Sequence, residues 1–295
     1  MAQNKCLCVG GVLFSIRIPG KICLHEPDPA YKNFFVRSSY KIRNKVTVDL
    51  KPFDVPEKPR AAMKQAGVFD ADSVWHSFKK SGKRIFVLNM PQFSEAQRIV
   101  KAEKNNVEVL YKADYGKNIN PFRYPFDQLA IMNYLAGRGG FILHAAGAGV
   151  AGKGIAFAGV SGAGKSTISR FLAGQKIKVL SDDRLIVRGL AKGWEIYGTP
   201  WPGDAGMALN QKIKLDALMF LKHGKRNRIK ELGKAEAFKR LVSIISVPWY
   251  DKELSNKVIG NIVKMMERVP LYEIEFAPDK RVAGFVTEYV KDNLS

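Results

Sequence analysis

The spacing of apolar and polar residues divides the chain into two parts near residue 120. Up to that point, short runs rich in β-branched and aromatic residues alternate with Pro, Gly and Asp, which is the pattern of strands joined by turns. The pattern predicts strands at residues 9–18, 34–36, 45–50, 84–88 and 106–111. Residues 1–120 are therefore expected to form a smaller, β-rich N-terminal domain that serves substrate recognition or a structural purpose.

Beyond residue 120 the apolar spacing alternates between the period of a strand and that of a helix. Helices are predicted at residues 125–137, 166–173, 235–245 and 280–293. Strands are predicted at residues 141–150, 154–159, 178–180, 185–187, 194–197, 218–221 and 271–276. Alternation of this kind is typical of an α/β fold, so residues 121–295 are expected to form one larger α/β domain.

A glycine-rich segment follows the strand predicted at residues 154–159. Its sequence, Gly159-Val160-Ser161-Gly162-Ala163-Gly164-Lys165-Ser166, satisfies every constrained position of the phosphate-binding pattern GxxxxGK[ST]. Glycines let backbone N–H groups curl around phosphate oxygens, the lysine supplies a point charge, and the hydroxyl can reach a magnesium ion. The flanking strand and helix favour a nucleotide site over a glycine-rich turn that binds nothing. The predicted nucleotide contacts are Gly159, Ser161, Gly162, Ala163, Gly164, Lys165, Ser166 and Thr167.

Two adjacent carboxylates, Asp182 and Asp183, end the next apolar strand, seventeen and eighteen residues after Lys165. In a parallel arrangement this strand end lies beside the glycine-rich segment, at the carboxyl edge where α/β sheets bind ligands. One carboxylate can then hold magnesium while the other accepts a proton from an attacking hydroxyl. The alternative is an Asp-Asp turn that leads into the following hairpin.

His144 interrupts the apolar run of the strand predicted at residues 141–150. A lone histidine in a strand is commonly a core residue with satisfied hydrogen bonds. This strand, however, is predicted to pair with the one that feeds the glycine-rich segment. Two roles therefore stay open for His144: a structural side chain, or a group that orients an aspartate or a phosphate oxygen.

The order of His144, the segment 159–166 and Ser181-Asp182-Asp183, with a hairpin that enters the segment, resembles the catalytic domain of HPr kinase/phosphorylase. That family belongs to the fold group of ATP-dependent phosphoenolpyruvate carboxykinase. The resemblance covers residues 139–200 best and implies a kinase that uses ATP and Mg²⁺ to phosphorylate a serine hydroxyl. The roles it implies are Asp182 as general base, His144 as its orienting partner, Lys165 and Ser166 as phosphate and magnesium contacts, and Asp183 as an acid in or next to the metal shell.

The sequence also departs from that family. Residue 167 is Thr where the bacterial enzymes usually carry Glu, and the phosphorolysis signature is not visible downstream of the aspartates. In its region stands a rigid segment at residues 197–204, whose Trp201 either stacks on a substrate or fills a structural turn. These departures favour the HPr-kinase-related proteins that act on other acceptors, including modifying enzymes of small ribosomal peptides.

Three interpretations of function follow. The leading one is a kinase that transfers the γ-phosphoryl group of ATP to a serine-type hydroxyl of a peptide, protein or small molecule. The second is a carboxykinase-like enzyme that moves phosphate to or from a small carboxylic acid. The third is a nucleotide-gated binding module for an acidic partner, against which the pair of aspartates argues because a switch needs no general base.

The formal net charge of +21 comes from 48 Lys and Arg against 27 Asp and Glu, and the excess is spread over both parts of the chain. Such a field favours an anionic partner, either a nucleotide or an acidic peptide or protein, although a lysine-rich surface also serves solubility. The sequence contains no recognisable nucleic-acid-binding module, so nucleic acid is not an expected partner. A homo-oligomer is compatible with the sequence.

The chain has three cysteines, Cys6, Cys8 and Cys23, and a small, odd number of this kind argues against a disulfide framework. Buried strand cysteines are expected rather than a metal site, for which His25 is the one further candidate nearby. The sequence has no run of eighteen apolar residues and no secretory-type start. A cytoplasmic protein without a membrane span is therefore expected.

Overall fold

A computed structural model of the protein describes residues 3–19, 29–37, 44–53, 69–71, 75–80, 82–89, 96–103, 105–112 and 126–294. The chain divides into two units. The first comprises Met1–Pro29 and Phe35–Tyr134, and the second comprises Ala30–Phe34 and Leu135–Ser295. The sequence expectation placed one boundary at residue 120, whereas this division falls inside a helix and assigns a five-residue N-terminal segment to the second unit.

The first unit is built on a nine-stranded sheet. Its strands are β1 Gln3–Val9, β2 Val12–Ile18, β3 Phe35–Val36, β4 Lys45–Phe53, β5 Phe69–Ala71, β6 Trp75–Lys80, β7 Lys83–Asn89, β8 Ala96–Glu103 and β9 Asn106–Lys112. They lie in the order β3-β1-β2-β4-β9-β8-β7-β6-β5. Neighbouring strands are antiparallel except that β4 is parallel to both β2 and β9.

The single strand predicted at residues 9–18 is wrong, because this stretch contains a hairpin turn. Gly10 and Gly11 have φ angles of 59° and 70°, the left-handed values that a two-residue type I′ turn requires. The turn lets β1 pair with β2 in antiparallel register. Cys6 and Cys8 are buried on β1, as expected of strand cysteines, whereas Cys23 and His25 lie outside the described residues.

The second unit contains another nine-stranded sheet and most of the helical residues. The strands are β10 Gly140–Val150, β11 Lys153–Ala158, β12 Lys178–Ser181, β13 Arg184–Leu190, β14 Gly193–Tyr197, β15 Lys212–His223, β16 Arg228–Glu231, β17 Ile245–Ser246 and β18 Leu271–Phe276. The helices are α1 Phe126–Ala136, in which the two units meet along the chain, α2 Lys165–Gly174, α3 Lys234–Val242, α4 Lys252–Met266 and α5 Arg281–Asn293. The protein is therefore mixed α/β.

The strand directions bring four carboxyl ends to one edge of the second sheet. Strand β10 is antiparallel to both β11 and β12, so β11 and β12 run in the same direction. Strand β15 is parallel to β11, and β18 is parallel to β15. The segments that follow these four strands therefore start at a common edge, the position at which open α/β sheets bind their ligands.

Helices cover both faces of this sheet because alternate residues of its strands point to opposite sides. On β15, Leu218 and Phe220 belong to one buried cluster, together with Leu241 of α3 and Ile262 of α4. Met219 belongs to the other, which α2 and α5 complete with the buried residues Ile168, Leu172, Val282 and Val286. Each fully buried aliphatic side chain contributes about 1.5–3 kcal/mol, so the two clusters hold the sheet edge in place.

Within the part of the chain that the structure describes, no helix combines the length and apolar character needed to cross a membrane.

Candidate active site

The glycine-rich segment forms the connection between β11 and α2, and its glycines have separate structural reasons. Gly162 and Gly164 have φ angles of 80° and 98°, which side-chain-bearing residues rarely adopt. A Cβ atom on Gly159 would lie 2.6 Å from the Cβ atom of Ala163, so the loop closes on itself only with glycine there. We call Gly159–Gly164 the phosphate loop, after the sequence pattern that it matches.

Helix α2 begins at Lys165, directly after the phosphate loop. Its N-cap, Gly164, offers no side-chain acceptor, and the first intrahelical bond runs from the Ile168 N–H to the Gly164 carbonyl. The N–H groups of Lys165, Ser166 and Thr167 therefore have no partner within the helix. Backbone N–H groups and the positive end of a helix dipole together favour an anion at this position.

Lys165 turns its side chain back over the loop. The residue is 6% exposed, and its Nζ atom donates to the carbonyl oxygens of Gly159 and Val160, each at 3.0 Å. Nζ also lies 3.7 Å from Asp183 Oδ1. Burial lowers the pKa of the Lys165 ammonium, and the neighbouring carboxylate of Asp183 opposes that shift. The ammonium is thus a partly desolvated charge at the mouth of the loop.

Asp182 is fully buried and is surrounded by hydrogen-bond donors. Its Oδ2 atom accepts from Ser166 Oγ at 2.9 Å and from the Ala205 N–H at 2.8 Å. Its Oδ1 atom accepts from the N–H groups of Gly203 at 2.9 Å and Met207 at 3.1 Å. A buried carboxylate needs such partners, and here four neutral donors supply them.

Three of these donors belong to the segment of residues 198–207, which we call the strap. A Cβ atom on Gly203 would lie 2.8 Å from Asp182 Oδ2 and 3.1 Å from Ser166 Oγ, so only glycine allows the strap backbone this close. Arg170 Nη2 donates to the Asp204 carbonyl at 2.6 Å, which ties the strap to α2. Asp182 is the centre around which the strap folds.

Trp201 lies inside the strap and is buried rather than free to stack on a substrate. Its Nε1 atom donates to the Tyr31 hydroxyl at 3.2 Å, and both side chains are less than a tenth exposed. The sequence left a substrate contact and a structural turn open for Trp201, and the burial favours the structural role. Tyr31 belongs to the N-terminal segment Ala30–Phe34 of the second unit.

Asp183 has the opposite environment and is faced by cations. Its side chain is 22% exposed. Besides Lys165, it has Arg184 Nη1 at 3.5 Å from Oδ2 and His144 Nδ1 at 3.9 Å from Oδ1. We call Lys165, Asp183, Arg184 and His144 the cationic cluster. Strand pairing explains its assembly, because His144 on β10 lies opposite Arg184 on β13.

The hydrogen bonds of His144 define where its proton lies. Arg184 Nε donates to His144 Nε2 at 3.1 Å. A guanidinium has no acceptor, so Nε2 must be unprotonated and the neutral ring carries its proton on Nδ1. Burial, followed by the charge of Arg184, lowers the pKa of His144. The ring is therefore neutral, and its Nδ1 atom lies 3.9 Å from Asp183 Oδ1, beyond hydrogen-bond distance.

The structure brings together Lys165, Ser166, Asp182, Asp183 and His144 at one sheet edge, as their spacing predicted. Sequence reasoning missed Arg184, Gly203 and His223. Arg184 adjoins the aspartate pair, and Gly203 stands in a Pro- and Gly-rich stretch, so both carried a local signal. His223, which contacts the Gly162 carbonyl, carried no local signal, because only the parallel pairing of β15 with β11 brings it to the loop.

Magnesium takes oxygen ligands, commonly one or two protein groups completed by substrate phosphates and water. The hydroxyl oxygen of Ser166 is a ligand of that kind, and the Asp182 carboxylate, whose own oxygen atoms are engaged by four donors, fixes this hydroxyl by accepting its hydrogen bond. A site built from three or more His, Cys, Asp or Glu side chains does not occur among the described residues. The residues present fit a metal that is held jointly with phosphate.

Fold and site together define a mixed α/β protein with a glycine-rich connection between a strand and a helix. The family model of SynChlorMet cassette protein ScmC matches residues 127–286, more than half of the 295-residue chain. The chain belongs to this family. The match includes the phosphate loop, the strap and the cationic cluster.

Comparisons with curated proteins and with solved structures do not identify an activity for the chain. Among curated proteins no relative matches the chain. Among solved structures, the HPr(Ser) kinase/phosphatase from Coxiella burnetii is similar at 12% sequence identity and a TM-score of 0.31, with 51% of this chain and 88% of that chain covered. A likeness this distant does not transfer an activity to this chain.

Proposed function

We propose that the chain is an ATP- and magnesium-dependent phosphotransferase that transfers the γ-phosphoryl group to a serine-type hydroxyl of a peptide, protein or small molecule. The observation that carries this proposal is the 3.7 Å separation of Lys165 Nζ from Asp183 Oδ1. The lysine of a phosphate loop reaches the β- and γ-phosphates. A carboxylate beside it therefore stands where an acceptor hydroxyl must approach.

In this proposal the phosphate loop and the first turn of α2 bind the phosphates, and Lys165 neutralises their charge. Asp182 holds the Ser166 hydroxyl toward the magnesium position through their 2.9 Å hydrogen bond. In phosphate-loop enzymes a loop hydroxyl and a strand-end aspartate together hold the magnesium ion. Bound magnesium supplies charge neutralisation on the transferring phosphate. Phosphoryl transfer depends mainly on such positioning and charge stabilisation.

We assign the general base to Asp183 rather than to Asp182, which exchanges the roles that the family resemblance implies. All four donors around Asp182 are satisfied by its carboxylate, and the side chain is fully buried. Asp183 is partly exposed and has oxygen atoms to offer an incoming hydroxyl. Lys165 and Arg184 are the charged neighbours that hold this carboxylate in place, and His144 accepts a hydrogen bond from Arg184, so Arg184 and His144 are positioning residues.

The chemical step balances without a further reactant. The acceptor oxygen forms a bond to the γ-phosphorus, and the bond between that phosphorus and the β,γ-bridging oxygen breaks. The hydroxyl proton passes to the Asp183 carboxylate, and ADP leaves with the bridging electron pair. Lys165, with its neighbours at the loop, offsets the negative charge that develops on the leaving group.

The test measures nucleotide binding and phosphoryl transfer separately. Calorimetry with MgATP should show binding that Lys165→Ala weakens at least tenfold, while Lys178→Ala, the same change at an exposed position on β12, leaves it unchanged. Mass spectrometry should then detect a phosphate adduct on serine-containing acceptors, beginning with acidic peptides because of the +21 charge. Absence of MgATP binding by the wild-type protein would end this proposal. Binding without transfer to any acceptor or to water would favour the binding-module interpretation.

A further inference from the structure

The end of β15 reaches the phosphate loop from the side opposite the aspartates. In the parallel register, Phe220 of β15 pairs with Ala158, the last residue of β11. Strand β11 stops there and turns into the loop, whereas β15 continues for three more residues to His223. The extension runs alongside the loop and carries a ring to its apex.

His223 makes a hydrogen bond to the loop backbone. Its Nε2 atom lies 2.7 Å from the carbonyl oxygen of Gly162. A carbonyl oxygen only accepts, so Nε2 carries the proton and donates it. Gly162 is one of the two loop residues with a left-handed backbone, at φ 80°. The bond thus holds one peptide group in a conformation that the local sequence leaves free, since glycine adopts either sign of φ.

A second ring supports the first. His223 stacks on Phe276, the last residue of β18, with ring centroids 6.1 Å apart and an interplanar angle of 29°. Phe276 is fully buried and lies directly under Gly164, where an added Cβ would come within 2.7 Å of its Cζ atom. The ends of two parallel strands therefore contact both left-handed glycines of the loop.

Resting on the proposed function, we infer that His223 is a positioning residue that pre-orders the phosphate loop for nucleotide through its bond to the Gly162 carbonyl. A loop that is already ordered loses less conformational freedom when phosphate binds, which strengthens binding without a contact to the ligand. Loss of one such bond is expected to raise the dissociation constant about three- to tenfold. The turnover number should change less, because Asp183 and Lys165 stay in place.

Three variants separate the donor from the ring. His223→Leu removes both, His223→Phe keeps a ring over Phe276 without the donor, and His223→Gln keeps an amide donor at similar reach. Lys222→Gln is the control, since Lys222 is exposed at the same strand end and pairs with Glu275 at 3.4 Å. Calorimetry with MgADP and MgATP should give three- to tenfold weaker binding for the Leu and Phe variants, and values within twofold of wild type for the Gln variant and the control.

Hydrogen exchange of the nucleotide-free protein tests the same bond without any ligand. Peptides that cover residues 159–166 should exchange faster in His223→Leu and His223→Phe than in wild type and His223→Gln. Unchanged exchange together with unchanged binding in the Leu and Phe variants would overturn the inference, as would a Gln variant as impaired as Leu. If the wild-type protein binds no nucleotide while the exchange differences appear, the proposed function fails and the ordering role of His223 stands.

Discussion

The strap surrounds Asp182 and the cationic cluster contains Asp183, so two neighbouring aspartates lie in opposite environments. Asp182 is fully buried among four uncharged donors, three of them backbone N–H groups of the strap. Asp183 is partly exposed and has three cationic or titratable side chains within 4 Å. The carboxylate of Asp182, whose lone pairs are all engaged, organises the strap, whereas the carboxylate of Asp183, held by surrounding charges, is the one to which we assign the proposed chemistry.

The largest expected effect is on phosphoryl transfer, in Asp183→Asn. Asparagine keeps the shape but accepts no proton, and loss of a general base typically lowers a rate about 10²–10⁴-fold. MgATP affinity and the melting temperature should stay near the wild-type values. Single-turnover transfer followed by mass spectrometry measures the rate. A variant that transfers phosphate at the wild-type rate would remove Asp183 from the reaction and return Asp182 to the role of base.

Asp182→Asn should act on stability first. The amide replaces one accepting oxygen with a donor that faces other donors, so we expect a loss of about 2–4 kcal/mol in the free energy of unfolding. Denaturant titration gives this value, and proteolysis within residues 198–207 should become faster. A variant as stable as wild type that nevertheless transfers no phosphate would show that Asp182 serves chemistry rather than the stability of the strap.

Gly203→Ala tests the packing of the strap without altering any charge. The added methyl group would press on the Asp182 carboxylate and the Ser166 hydroxyl, at an expected cost of about 1–3 kcal/mol and with weaker magnesium-dependent binding of ATP. Gly260→Ala in α4 is the matched control. No atom lies within 4 Å of its added Cβ, so it should stabilise the protein by about 0.5–1 kcal/mol. Equal effects of the two substitutions would contradict a tightly packed strap.

The smallest effect concerns pH and belongs to the cationic cluster. Burial and Arg184 lower the pKa of His144 below its ordinary value of 6.5. Just below that pH the unfolded chain binds the proton more readily than the folded one, so stability falls as the pH drops toward the lowered value. His144→Asn keeps a polar side chain and has no ring to protonate. Below pH 6.5 the free energy of unfolding should therefore fall less steeply with decreasing pH in the variant than in the wild type. Equal slopes for the two proteins would contradict a neutral His144 in the folded state.

Local patterns predicted much of the second unit. The hairpin of β13 and β14, the strand β18 and the helix α5 fall where the apolar spacing placed them. The helix α4 was overlooked although Asp251 caps it and apolar residues recur along one face. The helix predicted at residues 235–245 ends at Val242 instead, because Ile245 and Ser246 pair with β10 as a strand.

The sequence predicted that the candidate residues lie close together, but not how the environments of the two aspartates differ. Motif spacing and strand order brought Lys165, Asp182 and Asp183 together correctly. The difference between the two aspartates depends on which of them the strap backbone reaches, and that follows from tertiary packing around Gly203. The position of His223 beside the loop depends on how far β15 extends past the end of β11, and no local sequence pattern gives that length.

The short segment Ala30–Phe34 has a consequence for how the protein can be divided. It lies in the N-terminal part of the sequence, but Tyr31 receives the Trp201 hydrogen bond and Phe34 is fully buried. A gene fragment that begins after residue 120 would encode every strand of the second sheet and still lack part of that unit. The two units are interleaved along the chain. The second unit therefore depends on five residues that are synthesised about a hundred residues before β10, its first strand.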